Sequence, residues 1–247
     1  MKKVILASLV GISLAACAAT VQAEPSAAIV AAVADTARPD ADKARDAARK
    51  PAETVDFAGV KPGDKVAEMI PGGGYYTRIL AKTVGPQGHV YLLVPPFFAQ
   101  RPGGLDGVNA LAAAYPNVSV VLADLASFKL DEPVDLVWTT ENYHDMHNGP
   151  AANPGGVNKA AFDALKPGGL YFVEDHNAAP GAGATVSSTL HRIEGAAAIA
   201  EVEASGFKLE ATSDLLKNPE DAHDKPVFDT SIRGESDKFA ARFRKPK

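Results

Sequence analysis

Short apolar runs alternate along the chain with amphipathic segments, and glycine and proline punctuate the joins. Val66-Ala67-Glu68-Met69-Ile70 is an apolar run carrying one acid; it breaks at Pro71-Gly72-Gly73-Gly74 and resumes with helical periodicity over residues 76–84. That pattern predicts a strand over 65–70, a tight glycine turn and a helix. Gly85-Pro86-Gln87-Gly88 closes the helix, and residues 89–94 read as a second, buried strand. A helix over 105–115, a strand over 118–123 ending at Asp124 and a strand over 134–140 follow. A helix over 158–165 is stopped by Lys166-Pro167-Gly168-Gly169, and a strand spans 170–174. Residues 189–205 read as one helix ended by Gly206, and strands over 207–212 and 239–243 close the chain. Ahead of all these, residues 41–57 look helical with a break at Pro51. Strands alternating with helices predict a parallel sheet covered on both faces, with ligands bound outside the carboxyl ends of its strands.

The amino-terminal residues follow a different logic. Lys2 and Lys3 precede an apolar stretch over 4–16 that is too short for a membrane span, and Val21-Gln22-Ala23 has the form of a signal-peptidase site. Leu14-Ala15-Ala16-Cys17 also fits a lipoprotein signal, in which Cys17 would carry the lipid. Two export routes therefore stand: a signal peptide over 1–23 and a soluble periplasmic protein, or a lipoprotein signal over 1–16 and a lipid anchor on Cys17 in a bacterial envelope membrane. Cys17 is the only cysteine, so no disulfide forms within the mature chain. Residues 24–40, including the alanine-rich run 27–37, read as a linker, and 41–247 as one domain of about 200 residues with a sizeable core. With Lys2 and Lys3 removed, 23 basic residues stand against 30 acidic ones, a net charge of −7. A dispersed acidic surface gives no support for nucleic-acid binding, nor for a membrane contact other than the lipid on Cys17.

Histidine placement adds chemistry. Of six histidines, four (His144, His147, His176, His191) follow the ends of the fourth and fifth predicted strands, with Asp145 and Asp175 beside them. In a parallel sheet these positions converge on one mouth next to the glycine turn. Two chemistries fit. A histidine oriented by a carboxylate is a general base for an acceptor hydroxyl or amine. Alternatively, His144-Asp145-x-His147 with Asp175 and His176 offers imidazole and carboxylate ligands to zinc or manganese, although the spacing matches no established zinc motif. His191-Arg192 offers a guanidinium to an anionic group or a solvated first turn of a helix. The long polar segment 218–237, with Asp221 and His223, has the length of a lid over the mouth.

A strand with Glu68, a turn with Gly72-x-Gly74, a strand ended by Asp124, and Ala161-Phe-Asp-Ala-Leu-Lys-Pro-Gly-Gly169 before a fifth strand resemble class I S-adenosylmethionine-dependent methyltransferases. The resemblance runs from about residue 56 to 246. Asn142-Tyr143-His144-Asp145-x-His147, Asp175-His176, His191-Arg192 and Phe243-Arg244-Lys245-Pro246 are similar, more narrowly, to exported bacterial proteins labelled predicted methyltransferases. The resemblance implies a three-layer, mostly parallel, seven-stranded Rossmann-like sheet with an antiparallel C-terminal strand. It implies that Glu68 supports the methionine end of S-adenosylmethionine, that Pro71, Gly72, Gly73 and Gly74 form the turn the cofactor approaches, and that Asp124 contacts the adenine. Asn142 would lie beside the reacting methyl, and Tyr76 would stack on the cofactor or pack in the core. Two positions depart from the pattern: Ile70 stands where many members have a glycine, and Leu93-Val94-Pro95-Pro96 carries no acid for the ribose. The expected function is methyl transfer to a small molecule, with His144, Asp145, His147, Asp175, His176 and His191 as catalytic candidates. A metal-dependent or other hydrolase on the same sheet, and a binding protein with a degenerate pocket, are the alternatives.

Overall fold

A computed structural model describes residues 24–149 and 152–247. The signal-peptide and lipoprotein readings, including Cys17, fall outside the described residues.

The described residues open with four short helices, α1 (Ala27–Val33), α2 (Asp40–Lys43), α3 (Asp46–Arg49) and α4 (Pro51–Ala58). An alternating series follows: β1 (Lys65–Met69), α5 (Tyr75–Val84), β2 (His89–Val94), α6 (Asp106–Ala114), β3 (Val118–Leu122) and β4 (Val134–Thr140). The chain ends through α7 (Pro154–Ala164), β5 (Leu165–His176), α8 (Ser187–Leu190), α9 (Gly195–Ala204), β6 (Lys208–Ser213) and β7 (Lys238–Arg244). Seven strands form one sheet in the order β3-β2-β1-β4-β5-β7-β6. β1 to β5 pair in parallel, and β7 runs antiparallel between β5 and β6. The expected architecture, including its single reversed strand, is the one observed.

Alternation along each strand feeds two cores. Val66, Trp138 and Phe172 face α1, α4, α5 and α6, where Ile29, Val55, Ile79, Leu80 and Leu111 are buried. Ala67, Val137, Tyr171 and Phe243 face α7 and α9, where Val157, Ala161, Ala198 and Val202 are buried. Both faces are covered, so the central strands are apolar almost throughout.

Three segments differ from the sequence reading. The alanine-rich run expected as a linker contains α1, whose Ile29 and Ala32 are 1% and 3% exposed. Those two residues are three apart and so share one helical face, and small alanines let that face approach α5. The expected helix over 41–57 is three short helices; the last break is at Lys50, left-handed at φ 41°, immediately before Pro51. The helix expected over 189–205 is interrupted at His191, left-handed at φ 54°, and resumes only at Gly195. Elsewhere the differences are at element ends. α7 starts at Pro154, with the Asn153 side chain accepting from the Gly156 amide, and β5 already begins at Leu165, taking in Lys166-Pro167-Gly168-Gly169.

Candidate active site

The carboxyl ends of β1, β4 and β5 meet at one rim. After β1 the chain turns through Ile70, Pro71, Gly72, Gly73 and Gly74 into α5. Gly72 and Gly73 are exposed, and a β-carbon at either would meet nothing within 4 Å, so this stretch of backbone is open to a ligand. Gly74 is not. A β-carbon there would lie 2.4 Å from Leu111 Cδ1 of α6, and its φ is 80°. A side chain at Gly74 is excluded by the helix packed against it as well as by its left-handed backbone.

Glu68 is buried beneath the turn, and the Thr77 hydroxyl of α5 donates to it at 2.6 Å. Burial pushes its carboxyl up to about 7, against the lowering effect of Thr77 and Arg78. An acid raised in the folded state favours folding below its unfolded value of 4.5, and that contribution is lost as pH rises through about 7. Glu68→Gln, which can still accept from Thr77, should therefore gain stability over the native chain by about 3 kcal/mol between pH 4 and 8, an order-of-magnitude figure from the linkage relation. Thermal denaturation of both proteins across that range checks this. Parallel curves would show that Glu68 binds its proton equally well in the folded and unfolded chains.

Tyr76 packs in the core: its ring is 3% exposed and lies 4.9 Å from that of Trp138. Its placement is that of a core residue rather than one that faces a ligand. Asn142 bridges the ends of two strands, its amide donating to Thr140 O at 2.5 Å and to Ile70 O at 3.3 Å. Asp124 is exposed after β3, and its carboxylate accepts from the Ala126 amide at 2.9 Å.

The histidines divide. His144 lies in a 3₁₀ turn over Tyr143–His147 and is buried. Its Nδ1–H donates to Asp175 at 2.9 Å, its backbone N–H donates to the same carboxylate at 2.6 Å, and the His176 amide supplies a third donor at 2.7 Å. Burial would lower the His144 pKa, but the adjacent Asp175 charge and hydrogen bond outweigh it, and the net shift is upward. Nε2 of His144 faces the rim, 3.5 Å from Asp145 Oδ1, and the His191 ring stands edge-on at 5.4 Å. His176 is close by, with ring centres 6.2 Å apart, but its Nδ1 shares a hydrogen bond with Ser236 Oγ at 2.8 Å. Burial lowers its pKa to about 4, so it is neutral at physiological pH. His147 does not join them. Its Nε2 lies 3.1 Å from Glu201 of α9, a carboxylate that also accepts from Tyr143. The structure thus brings His144, Asp145, Asp175, His176 and His191 together and separates His147.

Arg192 is corrected too. Its guanidinium is fully buried, donating to both oxygens of Asp221 at 2.8 and 3.1 Å and to the carbonyls of Lys225 and Asn177. It holds the chain together instead of waiting for an anion. The segment read as a lid is pinned by the same contacts, with His223 2.9 Å from the Asp237 carboxylate.

Sequence reasoning missed a buried charge network beside the rim. Glu141 pairs with Arg49 and lies 3.3 Å from Lys238 Nζ. Burial opposes its ionisation, but those cations hold it at about 2. Neighbouring Glu174 is pushed the other way, to about 8, by burial and then by the Glu141 charge. One signal was available: Glu174-Asp175-His176 ends an otherwise apolar strand.

No protein-family profile matches the chain. A protein-L-isoaspartate O-methyltransferase of Ignicoccus hospitalis is 39% identical over 71 residues, which cover 28% of this chain and 32% of that protein. The chain thus matches about a third of that relative's length. Among solved structures, the cyclase SpnF superposes with a TM-score of 0.60 at 14% identity, covering 83% of this chain and 81% of that one. The N-methyltransferase NodS of Bradyrhizobium japonicum, in complex with S-adenosyl-L-homocysteine, gives 0.55 at 13% identity, covering 89% and 97%. The fold is that of the class I S-adenosylmethionine-dependent methyltransferases.

On this methyltransferase fold the departure at Ile70 has a visible consequence. Ile70 sits at φ 50°, the left-handed conformation that glycine adopts freely and a β-branched residue resists. Five described non-glycine residues have positive φ, and three of them, Ile70, Glu141 and His191, border this rim. Such strain, of order 1–3 kcal/mol each, persists where surrounding structure enforces it and gathers at functional sites. A cavity of about 990 Å³ between α5 and α6 is lined by Gly73, Arg78 and Leu111 and by no histidine.

Proposed function

We propose that this chain is an exported S-adenosylmethionine-dependent methyltransferase acting on a small-molecule acceptor. The observation that carries the reading is the open backbone of Gly72 and Gly73, placed at the same sheet edge as His144, Asp145 and His191. The cofactor would lie against the turn, with Glu68 beneath it and Asp124 toward the adenine. The acceptor would sit on the histidine side and attack the sulfonium methyl in line, its heteroatom losing a proton at the rim. Positioning is the main contribution in such a transfer. The S-adenosyl-L-homocysteine bound to NodS and the methyltransferase activity in the name of the Ignicoccus relative support the cofactor and the methyl transfer. The amino-terminal pattern supports export: the basic pair, the apolar stretch and Ala23.

Gly73→Val tests the cofactor assignment. Gly73 has no positive φ, and the added side chain enters open space, so the fold should survive. Calorimetric titration of the mature protein should show S-adenosylmethionine binding weakened by about tenfold to a hundredfold, or 1.4–2.8 kcal/mol. Unchanged affinity in a folded variant would refute the placement of the cofactor on this turn.

A further inference from the structure

We infer that His144, Asp145 and His191 form a binding site for one divalent first-row transition ion, with Asp175 as the group that orients its central ligand. The three side chains come from the turn after β4 and from the break between α8 and α9, and their ligand atoms lie within 4.8 Å of one another. The ligand set differs from the one the sequence suggested. His147 is engaged with Glu201 and His176 with Ser236, whereas His191 enters because its left-handed backbone turns the chain back to the rim.

Three features fit a metal better than a chance cluster. Because Asp175 takes the Nδ1–H of His144, the ring is fixed in the tautomer that presents the Nε2 lone pair to the rim. A histidine ligand whose far nitrogen donates to a carboxylate is the recurring arrangement around protein-bound metals, and it raises ligand basicity. The separation of 3.5 Å between His144 Nε2 and Asp145 Oδ1 is close to the edge of a tetrahedral site, about 3.4 Å for bonds of about 2.1 Å. His191 is half-buried and held edge-on against Phe228 with ring centres 4.8 Å apart, which keeps its ligand nitrogen within 4.8 Å of those of His144 and Asp145.

Two imidazoles and one carboxylate on one side of an ion leave coordination positions open. Water would fill them in the resting protein. In its catalytic consequence the inference rests on the methyl-transfer reading: an acceptor hydroxyl or thiol would replace that water, release its proton to solvent and present the coordinated anion to the methyl group. The site would then select acceptors able to ligate a borderline metal ion, which narrows the substrate class to alcohols, phenols and thiols.

The test uses the mature chain stripped with chelator and titrated with zinc and with cobalt. One ion per chain is expected, and cobalt should develop the visible d–d bands of a low-coordinate nitrogen–oxygen site. Asp145→Asn removes the charge of an exposed residue, and His191→Asn keeps a side chain that tolerates the left-handed backbone. Each should weaken zinc at least tenfold, whereas His147→Ala, outside the set, should leave zinc affinity unchanged. Failure of wild type to bind either ion, or binding indifferent to both ligand variants, overturns the site. S-adenosylmethionine that binds equally well to chelated protein tests the other reading separately. If it binds and metal does not, the metal site falls alone; if metal binds and the cofactor never does, the methyl-transfer reading falls and the site stands.

Discussion

Arg192→Met should lower folding stability by about 3–5 kcal/mol, the range for removing one member of a buried ion pair. Methionine retains most of the aliphatic stem, so the loss isolates the charge and its hydrogen bonds. Arg192 is 0% exposed and Asp221 5%, and their two contacts are joined by donations to Lys225 O and Asn177 O. Without the guanidinium, Asp221 is a buried carboxylate satisfied only by the amides of Asp237 and His223, and two carbonyls lose their donor. For a domain of this size the midpoint of thermal unfolding should fall by roughly 10 °C. The double variant with Asp221→Asn should recover part of that loss, because the buried charge is gone while a carbonyl remains for one of the two amides. A single variant as stable as the native chain would mean that water or a nearby cation replaces the guanidinium. The same pair fixes the break at His191, so the effect should extend to the rim, where the imidazole position depends on the residue next to it.

That pair also shows where sequence reading reached its limit. Strands β1, β2 and β4 were legible because buried parallel strands are nearly continuous apolar runs and glycine or proline ends them; β2 spans the residues expected of it. The mouth was legible for the same reason, since strand ends in a parallel sheet share one side. What could not be read was which partner each polar side chain meets. Arg192 and Asp221 are 29 residues apart, joined only once β5, α9 and the segment 218–237 are folded together. His144 and His147 share one turn, yet one meets Asp175 of β5 and the other Glu201 of α9, and no local pattern separates them. The packing of Gly74 is equally illegible, since nothing nearby in sequence signals that Leu111 of α6 lies against it. The alanine run 27–37 looked featureless because alanine has no amphipathic contrast, although Ile29 and Ala32 were enough to seat α1 on α5.

Asp175→Asn should cut methyl-transfer turnover by about 10²–10⁴, the scale on which a misoriented proton-transfer group is felt. Asp175 is fully buried and accepts three bonds, from His144 Nδ1–H and from the backbone amides of His144 and His176. Asparagine has the same shape but one acceptor oxygen, and its NH₂ must then face one of those donors. Oδ2 accepts from the His144 amide and Oδ1 from the His176 amide, so the NH₂ costs one backbone bond in either orientation. The imidazole lies within reach of both oxygens and can move its proton from Nδ1 to Nε2 and accept from the NH₂. His144 would then present an N–H to Asp145 and His191 instead of a lone pair, so it could neither relieve an acceptor of its proton nor ligate an ion. Nitrogen-15 spectra of the histidine rings should report the switch of tautomer directly, a change that a merely loosened structure would not produce. S-adenosylmethionine affinity should stay within about twofold, because the glycine turn makes no contact with Asp175; a change that small is under 0.5 kcal/mol. Cofactor binding lost in parallel with turnover would show that Asp175 supports the fold of the whole rim. Turnover intact with the tautomer switched would remove His144 from the chemistry and leave the acceptor to be activated elsewhere, with Glu174 the nearest buried acid on the same strand.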